Sequence, residues 1–182
     1  MLLKRGAATV DTLASTANTT TETDTDVTPF TANVGETLNL SETLGGANAG
    51  QYTATLACDN SVTVGGTGDF VVPATTTNCT VTNTRKTTTI TLKKAWSAAA
   101  LTDTASVILK RGATTVDTLA STADTATETD TDVTPFTANV GETLNLSETL
   151  GGANAGQYTA TLACDNSVTV GGTGDFVVPA TT

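Results

Sequence analysis

The chain contains no histidine, and that absence removes several chemistries at once. No Ser-His-Asp triad can be assembled, no HExxH zinc site exists, and the commonest side-chain metal ligand is missing. There is no GxSxG nucleophile elbow either, so an enzyme turning over a substrate is not expected. Basic residues are scarce, 8 Lys and Arg against 18 Asp and Glu, for a net charge of −10. A chain of that sign repels phosphate backbones and anionic lipid, which argues against nucleic acid or a membrane surface as partner. No apolar run approaches the roughly 18 residues of a membrane span. Aromatic residues make up 4% of the chain, too few for a broad adhesive patch, and neither a small-molecule ligand nor a cofactor is expected.

What the chain has in excess is threonine, 46 of its 182 residues, a bias typical of exposed, Thr-faced strands. It also repeats itself. Laying residue 3 on residue 109 keeps two copies in register, without a gap, to Thr76 on Thr182, a period of 106 residues. Only Ala8 against Thr114, Asn18 against Asp124 and Thr20 against Ala126 differ. Two copies so alike at domain-sized spacing signal a tandem array rather than one large domain. Residues 77–108 occur once and join the copies. Met1 and Leu2 stand where the other copy has Val107 and Ile108, so the start is expected to cut into a strand. The opening MLLKRGAATV has no long apolar stretch, and any signal peptide or anchor is expected outside this sequence.

The local pattern is that of strands. TTTITLKKAW puts Ile90, Leu92, Lys94 and Trp96 on one face of an extended chain, with Thr91, Lys93 and Ala95 on the other. GETLNLSET places Leu38, Leu40 and Glu42 together, and QYTATLAC does the same for Tyr52, Ala54, Leu56 and Cys58. TASVILKRG, SVTV, GGTGDFVV and NCTVTNT complete the set, with Gly, Asn and Asp between them and no helical periodicity anywhere. These segments predict an all-β fold of tandem immunoglobulin-like or prealbumin-like β-sandwich modules stacked end to end, about seven strands per repeat. Only Thr84 to Lys86 separate NCTVTN from TTTITLKKAW, so one module is expected to run almost directly into the next. On that cut, residues 1–86 form a module lacking its first strand and residues 87–182 one lacking its last. Each exposes a strand edge, a template for pairing with another chain.

Cys58 and Cys79 lie within one repeat with twenty residues between them, while Cys164 corresponds to Cys58 and has no partner within the chain. One pair per repeat reads as a disulfide made in an oxidising, extracellular compartment; buried free thiols are the alternative. Two Cys without His or a CxxC spacing supply too few ligands for a metal.

ITLKKAW resembles the opening strand of the collagen-adhesin B-type (CnaB-like, prealbumin-like) repeat domains of bacterial surface proteins. LNLSETLGGANAGQYTATL is similar to that family's Glu-bearing strand followed by a loop and Gly-x-Tyr, and CTVTNTRK to its closing strand. In some of its members a first-strand Lys is joined to a last-strand Asn by an isopeptide bond assisted by Glu or Asp. Carried over, the resemblance implies Lys94 and Glu148 in the second module and Glu42 and Asn83 in the first, so no complete triad lies within one module. The chemistry needs an amine freed of its proton, an amide carbonyl and a carboxyl that relays protons while ammonia leaves. The alternatives are a partly buried Lys94–Glu148 ion pair, or Lys94 snorkelling beside Trp96.

TETDTD sets Glu22, Asp24 and Asp26 on one side of an extended segment, and Glu128, Asp130 and Asp132 in the second copy. Such carboxylates are candidate Ca²⁺ ligands, with a solvated acidic face as the alternative, since the turn Gly and bidentate Glu spacing of an EF-hand are missing. GGTGDF precedes no helix and is not expected to bind phosphate.

Taken together, these features predict the structural repeat region of an extracellular stalk or filament on a bacterial surface. Its partners are neighbouring copies of the repeat, in the same chain or in head-to-tail assembly. The alternatives are adhesin modules that grip a ligand themselves, or a filament subunit that assembles by strand exchange.

Overall fold

Thr- and Val-rich alternation favours extended chain, and among the described residues every regular element is a β-strand apart from one 3-10 turn at Gly46–Asn48. The computed structural model describes residues 1–180, which divide between Thr84 and Arg85 into two units. Lys86 and Arg85 are tied to the second unit: Lys86 O accepts from Val140 N–H at 2.9 Å, and Arg85 Nη2 donates to Val140 O at 3.1 Å.

The first unit contains β1 (Leu2–Arg5), β2 (Ala8–Thr12), β3 (Thr37–Ser41), β4 (Tyr52–Cys58), β5 (Asp69–Val71) and β6 (Cys79–Arg85), whose last residue lies past the division. One antiparallel sheet runs β2-β1-β3-β5, and β4 pairs with β6. Its core comprises Leu38, Leu40 and Phe70, with Leu3, Phe30, Ala32, Leu56, Val72 and Val81 among the half-buried residues packed around them.

The second unit contains β7 (Thr87–Ile90), β8 (Lys93–Ser97), β9 (Thr104–Arg111), β10 (Thr114–Thr122), β11 (Thr127–Thr131), β12 (Phe136–Asn139), β13 (Thr143–Leu150) and β14 (Asp175–Val177). Its sheet order is β10-β9-β13-β14, with separate two-stranded ladders β11-β8 and β12-β7. Val107, Leu109, Leu144, Leu146 and Phe176 from the sheet pack against Leu92 and Ala138 of the facing segments. A second cluster gathers Trp96, Ala99, Ala105 and Ala123.

The two copies of the repeated sequence thus build the same four-stranded sheet, with equivalent strands in the same order. Each hairpin β1–β2 and β9–β10 turns on a glycine at positive φ, Gly6 at 60° and Gly112 at 58°, the backbone a tight hairpin turn needs. GGTGDF serves the fold. Gly68 sits at φ 89° with its backbone against β3, where a Cβ would lie 2.0 Å from Leu40 O, so no other residue fits.

Outside that sheet the copies differ in structure, although there only Asn18 against Asp124 and Thr20 against Ala126 differ in sequence. TETDT is strand β11 at 127–131, where it pairs with β8, but is not a strand at 21–25. FTAN is strand β12 at 136–139, paired with β7, but not at 30–33. YTATLAC is strand β4 at 52–58, paired with β6, but not at 158–164. Equivalents of β7 and β8 for the first copy would fall before Met1, and an equivalent of β6 for the second after Thr182. Propensity is identical in each comparison, so the partner strand decides.

The expected single strand ITLKKAW is two strands. β7 ends at Ile90 and pairs with β12; β8 begins at Lys93 and pairs with β11. Between them Leu92 O accepts from Asp132 N–H at 2.9 Å. The alternation survives the change of partner, because Ile90 and Lys94 are half-buried and Leu92 and Trp96 buried, while Thr91, Lys93 and Ala95 are exposed.

Candidate functional site

Lys94 reaches inward from β8 between Leu92 and Trp96. Its Nζ lies 2.7 Å from Glu148 Oε1 and 4.3 Å from the centre of the Trp96 ring. The Lys94 side chain is 14% exposed and that of Glu148 9%, which makes this the most deeply buried of the three ion pairs among the described residues. Glu148 projects from β13, where it stands opposite Val107. Although Nζ is close, it lies outside hydrogen-bond geometry, and Oε1 is buried with no hydrogen bond. A carboxylate oxygen held this way has an unused acceptor direction in a low-dielectric setting.

The Trp96 ring that walls the lysine is itself fixed. Trp96 Nε1 donates to Ser121 Oγ at 2.7 Å, Ser121 donates to Asp130, and Tyr158 meets the indole edge-on at 5.4 Å. Tyr158 donates to Asp103, which raises its phenol pKa, and accepts from Ala100 N–H at 3.1 Å. Buried Asn154 adds a further tie, donating through Nδ2 to Thr104 O at 3.2 Å and accepting from Thr104 N–H at 3.4 Å. In the sequence GGANAG is only the loop before Gly-x-Tyr, and this anchor is not visible in it, because an Asn among glycines looks the same whether it faces solvent or closes a loop.

In the first unit the equivalent glutamate has a different neighbour. Asn83 on β6 donates through Nδ2 to Glu42 Oε1 at 2.6 Å. Glu42 and Glu148 are one position of the repeat, so that position meets a lysine in one copy and an asparagine in the other. Of the four residues that the resemblance implies, Lys94 and Glu148 are in contact in the second unit, and Glu42 and Asn83 in the first.

Cys58 and Cys79 are bonded to each other, joining the end of β4 to the start of β6. Cys164 is free and half-buried, its thiol pushed up by burial and by the adjacent Asp165 charge.

The six acidic candidates for Ca²⁺ turn to separate local donors. Glu22 accepts from the amides of Asn18 and Thr19, and Glu128 from those of Asp124 and Thr125, which holds the Glu128 carboxyl below its usual range. Asp24 and Asp130 accept from Ser15 and Ser121, and Asp26 and Asp132 from Thr28 and Thr134. Among the described residues no three acidic or Cys side chains converge as a metal site would require. Extended-strand parity put these carboxylates on one side; backbone amides two to four residues away and serine hydroxyls nine residues away compete for them.

Two further arrangements were not visible in the sequence. Arg111 grips Glu142 with two hydrogen bonds, at 3.0 and 2.9 Å, while lying 5.2 Å over Phe136, and Arg5 with Glu36 and Phe30 repeats the pattern. Asp117 and Asp132 interact carboxyl to carboxyl, each with a buried Oδ2 that receives no hydrogen bond. Burial, reinforced by the Asp132 charge, pushes the Asp117 carboxyl up.

Comparison with known protein families, with characterised proteins and with solved structures finds no match to this chain. No helix among the described residues is long and apolar enough to cross a membrane.

Proposed function

We propose that this chain is the structural repeat region of an extracellular bacterial surface stalk, built from β-sandwich modules of the CnaB-like kind. In each module a Lys–Glu–Asn site joins the first strand to the last. What supports the reading is a single relationship: one glutamate position of the repeat touches Lys94 in the second unit and Asn83 in the first. A module with both neighbours present holds amine, carboxyl and amide together.

The reaction follows from those three groups. Lys94 Nζ passes a proton to Glu148 within the ion pair and attacks the side-chain Cγ of the facing asparagine. A new C–N bond forms, the bond from Cγ to Nδ2 breaks, Glu148 hands its proton to the departing nitrogen, which leaves as ammonia, and the regenerated carboxylate takes the second proton from the attacking nitrogen. Trp96 and the buried setting keep water from the amine. No turnover follows, because the product is the protein itself.

Such a link lies between the two strands that carry the load when a chain of modules is pulled. The Cys58–Cys79 bond clips the closing strand to β4, and a disulfide is compatible with an oxidising compartment. A stalk needs length and uniform mechanics, and near-identical copies supply both. A ligand-gripping adhesin is less well supported, since every aromatic ring among the described residues is buried or half-buried.

Stretching single polypeptides of several consecutive repeats tests this reading. Under reducing conditions the modules are expected to resist extension, and Lys94→Ala in every repeat is expected to restore stepwise lengthening. Stepwise unfolding of the unmodified repeats would contradict it.

A further inference from the structure

We propose that Asn18 is a modification site, its side-chain amide carrying an N-linked sugar that the second copy of the repeat does not accept. The first observation is where the copies differ. Two of their three differences fall within one tripeptide: Asn18-Thr19-Thr20 in the first copy stands as Asp124-Thr125-Ala126 in the second. Asn-x-Ser/Thr is the pattern of an N-linked sugar acceptor on the surface loop of a secreted protein, the Asn supplying the nitrogen and the hydroxyl two residues on completing the signal. The second copy has lost both the amide and the hydroxyl.

The chain holds this pattern four times, at Asn18, Asn39, Asn78 and Asn145, and the structure separates them. Asn39 and Asn145 lie within β3 and β13, each followed by a buried leucine, Leu40 or Leu146. Their Nδ2 groups are committed, that of Asn39 to Thr67 O at 2.8 Å and Asp69 Oδ1 at 3.0 Å, that of Asn145 to Thr173 O at 2.9 Å and Asp175 Oδ1 at 3.0 Å. Asn78 donates through Nδ2 to Asp59 at 2.7 Å, beside the bonded Cys79. Asn18 is exposed, and its side-chain amide makes no hydrogen bond among the described residues.

The turn itself presents this side chain. Glu22 accepts from the backbone amides of Asn18 and Thr19, both at 2.9 Å, which pins the main chain and leaves Nδ2 to solvent. Glu128 holds Asp124 and Thr125 in the same way at 2.9 Å, and Asp124, Thr125 and Ala126 are all exposed although β7 and β8 lie in place in that unit. Exposure at this position therefore belongs to the turn, whichever strands lie beside it. In the transfer, Nδ2 attacks the anomeric carbon of a sugar carried on a phosphate ester. A C–N bond forms, the bond from that carbon to the phosphate oxygen breaks with its electron pair leaving on the phosphate, and the displaced amide proton goes to a base of the transferring enzyme. The inference rests on the extracellular part of the reading above.

The test takes the full chain from the surface and the cytoplasm of the cells that make it, with peptide masses read before and after amidase release in heavy-oxygen water. The peptide holding Asn18 is expected to carry a sugar mass, and release should leave labelled aspartate at that position. Asn18→Gln and Thr20→Ala should each abolish the addition. Asp124→Asn combined with Ala126→Thr should add a second sugar, and neither change alone should. Sugar already on the cytoplasmic chain identifies a nucleoside-diphosphate donor, and sugar on the exported chain only a lipid-linked one. Surface chain with bare Asn18, a sugar that survives Thr20→Ala, or sugar on Asn39, Asn78 or Asn145 instead overturns the assignment and leaves the extracellular reading standing. Chain confined to the cytoplasm with bare Asn18 overturns both.

Discussion

Leu109 and Leu3 hold the same position in the repeat, facing Leu146 and Leu40 across equivalent strand pairs, yet Leu109 is fully buried and Leu3 half-buried. Leu109 has Leu92 and Ala138 above it, contributed by segments that pair with each other's neighbours in the second unit. Truncation at the two sites should therefore differ in cost. Leu109→Ala is expected to destabilise its unit by about 3 kcal/mol, within the usual range for an enclosed Leu, and Leu3→Ala by clearly less. Urea unfolding checks this, with Trp96, the single tryptophan, reporting the second unit and circular dichroism the whole chain. Equal costs would mean that Leu3 is as enclosed as Leu109.

Reducing the Cys58–Cys79 bond should act on the first unit alone. Freeing a loop of this length removes about 3 kcal/mol in the chain-entropy description. The urea midpoint seen by circular dichroism should then split or fall while the Trp96 transition stays in place. Before reduction only Cys164 should react with a thiol reagent, and slowly, because burial and Asp165 hold its thiol above the usual range. Three reactive thiols without reductant would contradict the pairing.

Most strand segments and the cysteine pair could be read from the sequence because both follow from local pattern, alternation setting the faces and two Cys per repeat the staple; SVTV, expected as a strand, is a strand in neither copy, at 61–64 or 167–170. Lys94 and Glu42 were legible by parity, since each falls on the apolar face of its run. Less visible was anything decided by a partner far along the chain. TETDT reads identically at 21–25 and 127–131, and only β8 makes one of them a strand. Likewise nothing in ITLKKAW itself marks where its partner changes from β12 to β11. The donors that the acidic residues accept from were not legible either, because Ser15 and Ser121 lie nine residues from Asp24 and Asp130, outside the period-2 pattern.

Asp117 offers a pH test. Its carboxyl is raised above the ordinary 3.8 by burial and then by the Asp132 charge, so the folded state holds a proton that the unfolded state has released. That contribution is complete below the unfolded value and is lost as pH rises through the folded one. Asp117→Asn keeps a hydrogen-bond donor toward Asp132 without the charge. The variant should unfold at higher urea than the parent at pH 7 and at the same urea near pH 3, by Trp96 fluorescence. An unchanged difference at the two pH values would show that the pair does not share a proton.

The opposite sign applies to Glu142. Burial alone would raise its carboxyl, but the Arg111 guanidinium and the Asn139 amide outweigh it and hold the value below 4.5. This contribution is present above that ordinary value and lost as pH falls through the folded one. Arg111→Met should therefore narrow the acid side of the stability profile and leave its alkaline side unchanged. Identical acid limbs in parent and variant would remove the pair from the account.

The central claim concerns the glutamate shared by Lys94 and asparagine. The direct measurement is the intact mass, under reducing conditions, of this chain lengthened at its end by TNCTVTNTRK, the residues that follow Thr76. The account predicts a mass lower by one ammonia, restored to the full value by Lys94→Ala. A full mass after reduction, in a chain whose Trp96 fluorescence shows a folded second unit, would contradict it.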